Sequence, residues 1–192
     1  TVPRGFIVAG TGTRDPPVVD SERSLVRYDF HAKRMVDAAF CAWDQFSESA
    51  AIVAGTRVRV LFPPGYGAAA ARHLEVVVQG LRHYGRLYGE YSYPELTVVV
   101  PPRAALGAHA MEYPSMFVTS GEWLVVDGLD AAGQEAVTAH ELAHQWFQAV
   151  IASNEVEFPM LDEGLAQWAA ADLLRTLRGE RRSAFDLGPL EL

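Results

Sequence analysis

The stretch that most constrains this chain begins at His140-Glu141-Leu142-Ala143-His144 and, eighteen residues later, reaches Leu161-Asp162-Glu163-Gly164-Leu165. Residues four apart on a helix lie about one turn apart on the same face, so two histidines at this spacing can reach one small cation. Glu141 points about 100° further round the helix and can reach a water beside that cation without being a ligand. The pattern predicts His140 and His144 as metal ligands and Glu141 as a general base.

The sequence around the two histidines favours a buried metal site. Residues 136–151 are apolar almost all round, which predicts a buried helix. Histidine and glutamate side chains in such a helix need partners, because an unpaired polar group in an apolar site costs several kcal/mol. A zinc ion, which nitrogen ligands bind at about 2.0–2.1 Å, is the partner that the spacing predicts.

A third protein ligand is expected, because catalytic zinc sites use three protein ligands and leave one position for water. Glu163 is the candidate, since it opens a second helical run, from Glu163 to Arg178, after a short connection. The alternative reading of Glu163 is a carboxylate that stabilises a helix N-terminus. Asp162 already fills that role, so we predict one zinc ion per chain with His140, His144 and Glu163 as ligands.

Two motifs together resemble the aminopeptidase N family, a gluzincin family whose zinc signature is of the HExxH-x18-E type. The first covers residues 140–147 and 161–166, and the second reads His109-Ala110-Met111-Glu112-Tyr113-Pro114. The resemblance is good over residues 57–178 and loose before them. It implies zinc-dependent hydrolysis of peptide bonds that releases N-terminal residues.

The second motif carries the expectation of an exopeptidase. The resemblance implies that Glu112 binds the free α-amino group of a peptide and that the backbone near Ala110 and Met111 pairs with it as a strand. Without the family context, Glu112 would be read as a solvated loop carboxylate. His109 stands where the family has glycine, and it is either a bulky group that crowds the cleft, a second cation site or, as single histidines usually are, a structural residue.

The chain departs from the family downstream of the zinc signature. The resemblance implies a later tyrosine that stabilises the oxyanion, yet the seven tyrosines all lie at or before Tyr113. A helical domain that closes the family's active site is absent as well. Because loss of one oxyanion donor costs about 10²–10³ in rate, we predict a fragment that binds zinc but has weak or no activity alone.

Composition sets limits on fold and partners. The 192 residues are 49% hydrophobic, enough for a proper core, and the net charge of −8 argues against nucleic acid and anionic membranes as partners. The single cysteine, Cys41, excludes an intrachain disulfide and is read as a small buried hydrophobic residue. No apolar run is long enough for a transmembrane helix and no secretory signal is present, which favours the cytoplasm while leaving the compartment open.

The order of predicted elements indicates an α+β fold. Strands are expected at Phe6–Ala9, Leu25–Phe30, Leu96–Val100, Met116–Thr119 and Trp123–Val126, a half-buried strand at Arg57–Phe62, a loop at Thr11–Pro17 and a helix at Ala68–Gly89. Asp130 is a natural N-cap for the zinc helix, and residues 180–192 form a loose tail. The resemblance implies that residues 57–192 are the N-terminal subdomain of a thermolysin-like catalytic domain, with a mixed sheet, and that residues 1–56 are the tail of a β domain.

Two other functions fit the same residues. A zinc endopeptidase of the same architecture would also cleave N-acetylated peptides. A metal-stabilised module that binds peptides without cutting them would account for His109 and the missing tyrosine. Glu141 counts against that module, because a purely structural zinc site needs no base and is normally closed by a fourth ligand.

Overall fold

The computed structural model describes residues 1–105, 110–121 and 131–179. In this part of the chain the helices are α1 (Gly67–Tyr88), α2 (Ala131–Ala143) and α3 (Pro159–Arg178). The strands are β1 (Val2–Pro3), β2 (Ile7–Gly10), β3 (Thr13–Arg14), β4 (Val18–Asp20), β5 (Leu25–Arg27), β6 (Phe30–His31), β7 (Phe40–Trp43), β8 (Ser47–Val53), β9 (Thr56–Phe62), β10 (Glu95–Val99), β11 (Met111–Tyr113) and β12 (Met116–Val118).

A five-stranded mixed sheet forms the centre of the fold, in the order β11-β12-β10-β9-β8. Strand β10 runs parallel to both β9 and β12, whereas β8 and β11 run antiparallel to their neighbours. The remaining described strands form small sheets of two or three strands. Together with the three helices, this sheet confirms the predicted α+β class.

Strand β8 joins the central sheet along its whole length. Ser47 to Val53 pair with Phe62 to Thr56, so the hairpin belongs to the same sheet as the predicted strand at Arg57–Phe62. The predicted first segment, residues 1–56, contains this strand. The division of the chain at residue 56 stays a prediction.

The helices cover one face of the central sheet. Helix α1 was predicted at Ala68–Gly89 from its apolar spacing, and it packs Val76, Val77 and Tyr84 into a core shared with α2 and α3. The three helices approach each other closely at Gly80, where an added Cβ atom would collide with Leu142 and touch Leu173 at 3.0 Å. This packing fixes α2 and α3 against each other.

The N-terminal strands cover the opposite face of the sheet. Ala9 and Phe46 pack there against Leu61, Val99 and Met116. The prediction of a loop at residues 11–17 was wrong for Thr13 and Arg14. These two residues form strand β3, which pairs with β6 in an antiparallel ribbon.

The prediction of a half-buried β9 was wrong for Arg59. This side chain is only 2% exposed, since the N-terminal strands lie over the face that it shares. Its guanidinium donates to Glu48 Oε2 at 2.9 Å, and this pairing within the β8–β9 hairpin offsets part of the cost of burying the charge. The alternation of apolar and basic residues therefore did not mark a solvent-exposed face.

A buried polar cluster lies between α1 and α2 and is centred on His73. Thr138 Oγ1 donates to the carbonyl of Gln134, so it accepts the hydrogen bond from His73 Nδ1 at 2.7 Å. The other ring nitrogen, Nε2, is buried and has no hydrogen-bond partner within residues 1–105, 110–121 and 131–179. Burial, together with the charge of Arg72, lowers the pKa of His73 to about 4. The ring is therefore neutral in the folded protein.

Replacement of His73 with asparagine should reduce the loss of folding stability that occurs as the pH falls from about 6.5 to about 4. The unfolded chain protonates this histidine below about pH 6.5, whereas the folded chain does so only near pH 4. Because the unfolded state binds more protons between these values, stability falls as the pH falls through this window, by about 3 kcal/mol at most. Asparagine can still donate from the position of Nδ1 but does not titrate.

Urea unfolding at pH 7 and at pH 4.5 measures this effect. We expect the stability advantage of the parent over His73→Asn to shrink by about 2–3 kcal/mol between the two pH values. An advantage that stays constant would show that His73 does not contribute in this way.

Within the described residues, no helix is long and apolar enough to cross a membrane. Several predictions fall outside those residues: the strand at Trp123–Val126, the cap at Asp130, the interpretation of His109 and the tail at residues 180–192.

Candidate metal centre

The segment that carries the two histidines is shorter as a helix than predicted. Helix α2 ends at Ala143 and residues 144–150 form turns, so the predicted helix over residues 136–151 was wrong beyond Ala143. The backbone hydrogen-bond pattern changes there, since the N–H groups of Gln145 and Trp146 donate to carbonyls three residues back, as in a 3₁₀ turn. His144 still donates from its backbone to the carbonyl of His140, at 3.3 Å, and this keeps both rings on one side.

Three donor atoms meet at the end of α2. His140 Nε2 lies 3.1 Å from His144 Nε2 and 3.0 Å from Glu163 Oε2, and His144 Nε2 lies 3.7 Å from the same carboxylate oxygen. A tetrahedral zinc ion with bonds of about 2.0–2.1 Å separates its ligand atoms by roughly 3.3 Å. The donor types and their separations therefore fit zinc, and a group of His140, His144 and Glu163 is a possible metal-holding set.

The surroundings of His144 leave its Nε2 atom, which faces the other two donor atoms, available to bind a cation. The ring is fully buried, and its Nδ1 lies 2.9 Å from Asp162 Oδ1 and 3.0 Å from the carbonyl of Phe147. The carbonyl of Phe147 can only accept a hydrogen bond, and so can the carboxylate of Asp162 when it is ionised. Nδ1 therefore carries the proton, and Nε2 presents its lone pair. A ring held in this way is prepared to bind a cation through Nε2.

Asp162 contacts the candidate site in a way that the sequence did not predict. It lies in the first turn of α3, as expected for a carboxylate that stabilises a helix N-terminus. Helix α3 starts at Pro159, earlier than the predicted start at Glu163. The side chain is only 2% exposed and is directed onto His144. The pKa of Asp162 is raised to about 6, because burial and a hydrogen bond with Glu155 outweigh the opposite effect of His144. An acidic residue directly before the predicted ligand was the only signal in the sequence.

Replacement of Asp162 with alanine should weaken zinc binding by about 10–100-fold, as loss of a hydrogen-bond partner of a ligand typically does. Asparagine retains an acceptor for His144 Nδ1, so Asp162→Asn should lose much less. Competition with a chromophoric chelator measures both affinities. Equal losses in the two variants would show that charge, rather than the orientation of His144, is what Asp162 supplies.

Glu141 lies beside the three donors and is almost completely buried. Its side chain is 5% exposed, and its Oε2 has no hydrogen-bond partner in the described part of the chain. Burial, together with the charges of Glu112, Glu163 and Asp162, raises the pKa of Glu141 to about 9. A carboxylate in this position is unfavourable without a nearby cation.

Glu112 lies at the same site on the central sheet. Its carboxylate, His144 and Asp162 offer ligand atoms that all lie within 4.8 Å of one another. Burial raises the pKa of Glu112, and the charges of Glu163 and Glu155 act in the same direction. The site therefore concentrates negative charge, a property that suits cationic ligands.

Ala110 and Met111 lie where the resemblance implied a strand that pairs with substrate. Met111 begins β11, which is the edge strand of the sheet formed by the described residues. Both residues are partly accessible, Met111 by 37%. A free strand edge can accept an extended peptide.

A small cavity of about 190 Å³ opens beside Glu141. His140, Glu141 and Gln167 line it together with Ala110, and Leu174 is among the residues of its apolar wall. The cavity thus extends from one predicted metal ligand, His140, to the residue before the edge strand. All seven residues predicted for the site are therefore brought to one end of the sheet and helices.

Known proteins match the part of the chain that contains these residues. The Peptidase family M1 domain matches residues 72–188. Aminopeptidase M1-A of Oryza sativa subsp. japonica is 32% identical over 122 residues, which cover 60% of this chain and 14% of the relative. Aminopeptidase M1-B of the same plant is 33% identical over 122 residues with the same coverage. Aminopeptidase 2 of Candida albicans (strain SC5314 / ATCC MYA-2876) is 28% identical over 115 residues, 58% of this chain and 12% of the relative.

The match spans well over half of the chain and includes the residues that meet at the end of α2. This defines the class as a peptidase-type α+β domain. The chain belongs to peptidase family M1. It spans about a seventh of the length of the rice relatives.

Proposed function

We propose that this protein takes part in zinc-dependent hydrolysis of peptide bonds and releases residues from peptide N-termini. The observation that carries the proposal is the meeting of His140 Nε2, His144 Nε2 and Glu163 Oε2 at 3.0–3.7 Å beside the buried Glu141. Two imidazole nitrogens and one carboxylate oxygen are a common ligand set of catalytic zinc in peptidases.

The residues of the chain have separate roles in this reaction. Zinc, when bound, supplies Lewis acidity and lowers the pKa of water towards 7. Glu141 accepts the proton of the attacking water and passes it to the leaving amine. Its burial keeps the carboxylate away from competing hydrogen bonds, and a neighbouring cation would lower the raised pKa of Glu141 into the range where it acts as a base.

Glu112 supports the release of single N-terminal residues. A carboxylate beside the metal ligands would bind the α-ammonium group of a peptide and leave the first peptide bond next to Glu141. Ala110 and Met111 would hold the backbone of the same peptide along the edge of the sheet. The names of the rice and Candida relatives as aminopeptidases agree with this assignment.

The proposal includes further parts of a longer enzyme. In it, residues 57–192 form the zinc-binding half of a thermolysin-like catalytic domain, and residues 1–56 form the end of a β domain. The seven tyrosines lie at or before Tyr113, so a tyrosine that stabilises the oxyanion would come from outside this stretch. Turnover by the chain alone should therefore be weak.

Hydrolysis of paired peptides tests the function. The zinc-loaded chain is incubated with a peptide that has a free amino terminus and with its N-acetylated form, and products are measured by mass spectrometry. We expect slow release of the first residue from the free-amine peptide only. Cleavage of both peptides would instead support an endopeptidase. No cleavage of either at full zinc occupancy would contradict activity of the isolated chain and support a binding module or dependence on further domains.

A further inference from the structure

Gln145 directly follows His144 and is as deeply buried as the metal ligand itself. Its side chain is 1% exposed, and the residue lies in the first turn beyond α2. A buried amide must have its hydrogen bonds made, because each unsatisfied group costs about 1–3 kcal/mol. The partners of this amide therefore show what the residue holds in place.

Both ends of the Gln145 amide bind the turn that follows β11. Oε1 accepts a hydrogen bond from the backbone of Ser115 at 2.8 Å, and Nε2 donates to the carbonyl of Tyr113 at 3.0 Å. The hydroxyl of Tyr91 lies 3.3 Å from Oε1 and is a third partner. The amide is thus clamped across a turn only one residue away from Glu112.

The turn itself needs this support. Ser115 has a φ of 62°, a left-handed conformation that is uncommon for residues other than glycine. Its Oγ accepts a hydrogen bond from the backbone of Gly12 at 2.7 Å, and its carbonyl accepts one from the backbone of Thr97 at 3.0 Å. The N-terminal strands, the central sheet and the segment after α2 all meet at Ser115.

We infer that Gln145 is a positioning residue that sets the distance between the Glu112 carboxylate and the metal ligands, and that it thereby sets the selection of peptides with a free α-amino group. The inference rests on the proposed function. Gln145 is covalently next to His144 and is bonded to both sides of the turn after Glu112, so it joins the two halves of the site directly. A displacement of about 1 Å can cost roughly 10²-fold in a reaction that depends on orientation.

The test uses two substitutions of the same kind. Gln145→Met keeps the approximate volume of the side chain and removes its hydrogen bonds. Gln134→Met is the matched control, because Gln134 is also a buried amide but lies within α2, and its Oε1 accepts from Arg72 instead. Zinc affinity is measured first, and then calorimetry of the zinc-loaded proteins compares leucine hydroxamate with N-acetyl-leucine hydroxamate.

We expect the unsubstituted chain to prefer the free-amine hydroxamate, and Gln145→Met to reduce that preference by about 10-fold or more. Zinc affinity and the affinity for the acetylated ligand should change by less than about 3-fold, which separates positioning from general loss of structure. Gln134→Met should keep the full preference.

A second variant tests the role of Gln145 if Gln145→Met does not fold. Gln145→Glu retains an oxygen that accepts from Ser115 but places another against the carbonyl of Tyr113, so an intermediate loss of preference is expected. Full preference in the folded variants would overturn the inference, and so would a loss of zinc affinity as large as the loss of preference. An unsubstituted chain without any preference would refute amine selection itself, and the inference with it.

Discussion

Replacement of Glu163 with alanine is expected to weaken zinc binding by more than about 100-fold. Loss of a group that only orients a ligand typically costs about 10–100-fold, and removal of a ligand should cost more. Glu163 is the sole carboxylate in the set with His140 and His144, and its Oε2 lies 3.0 Å and 3.7 Å from their Nε2 atoms. Without it, two adjacent imidazole nitrogens would remain.

Competition with a chromophoric chelator measures the change. Glu157→Ala is the matched control, because Glu157 is an exposed carboxylate just before α3 whose side chain bonds to Asn154. The control should bind zinc as the unsubstituted chain does. Similar affinities for Glu163→Ala and Glu157→Ala would show that Glu163 is the helix-end carboxylate of the alternative interpretation.

Replacement of Glu141 with glutamine should separate metal binding from chemistry. Glutamine has nearly the same shape but cannot take a proton from water, and general bases contribute about 10²–10⁴-fold to rates. We therefore expect hydrolysis of the free-amine peptide to fall by that factor while zinc affinity stays within about 3-fold. Product formation measured by mass spectrometry, with zinc content checked in both proteins, tests this.

The outcome for Glu141→Gln also distinguishes roles. If hydrolysis is unchanged, Glu141 is not the base. If zinc affinity falls together with hydrolysis, the carboxylate acts on the metal or on the structure of the site. Because Glu141 Oε2 has no partner in the described residues, the folded state should tolerate the amide.

Periodic features of the fold could be predicted from the sequence. Helix α1 and strands β9 and β10 have apolar residues at clear spacings, and the observed elements agree with the prediction to within one residue or so. The meeting of His140, His144 and Glu163 could also be predicted, because helical spacing and a short connection leave few other arrangements.

Features that depend on long-range contacts could not be predicted. Arg59 is buried only because strands from the N-terminal region cover it, and Asp162 was read as a helix-end carboxylate because its partner His144 lies on another element. Helix α2 ends early, and the side chains just beyond its end, Gln145 and Trp146, bond to the distant residues Tyr113 and Gly89. Local pattern does not contain this information.

X-ray absorption spectroscopy of the zinc-loaded chain determines the ligands of the proposed metal site. We expect four nitrogen or oxygen neighbours at about 2.0–2.2 Å, two of them with the outer scattering of imidazole, one from a carboxylate and one from solvent. A sulfur neighbour, six oxygen neighbours or fewer than two imidazoles would contradict a catalytic zinc site built from His140, His144 and Glu163.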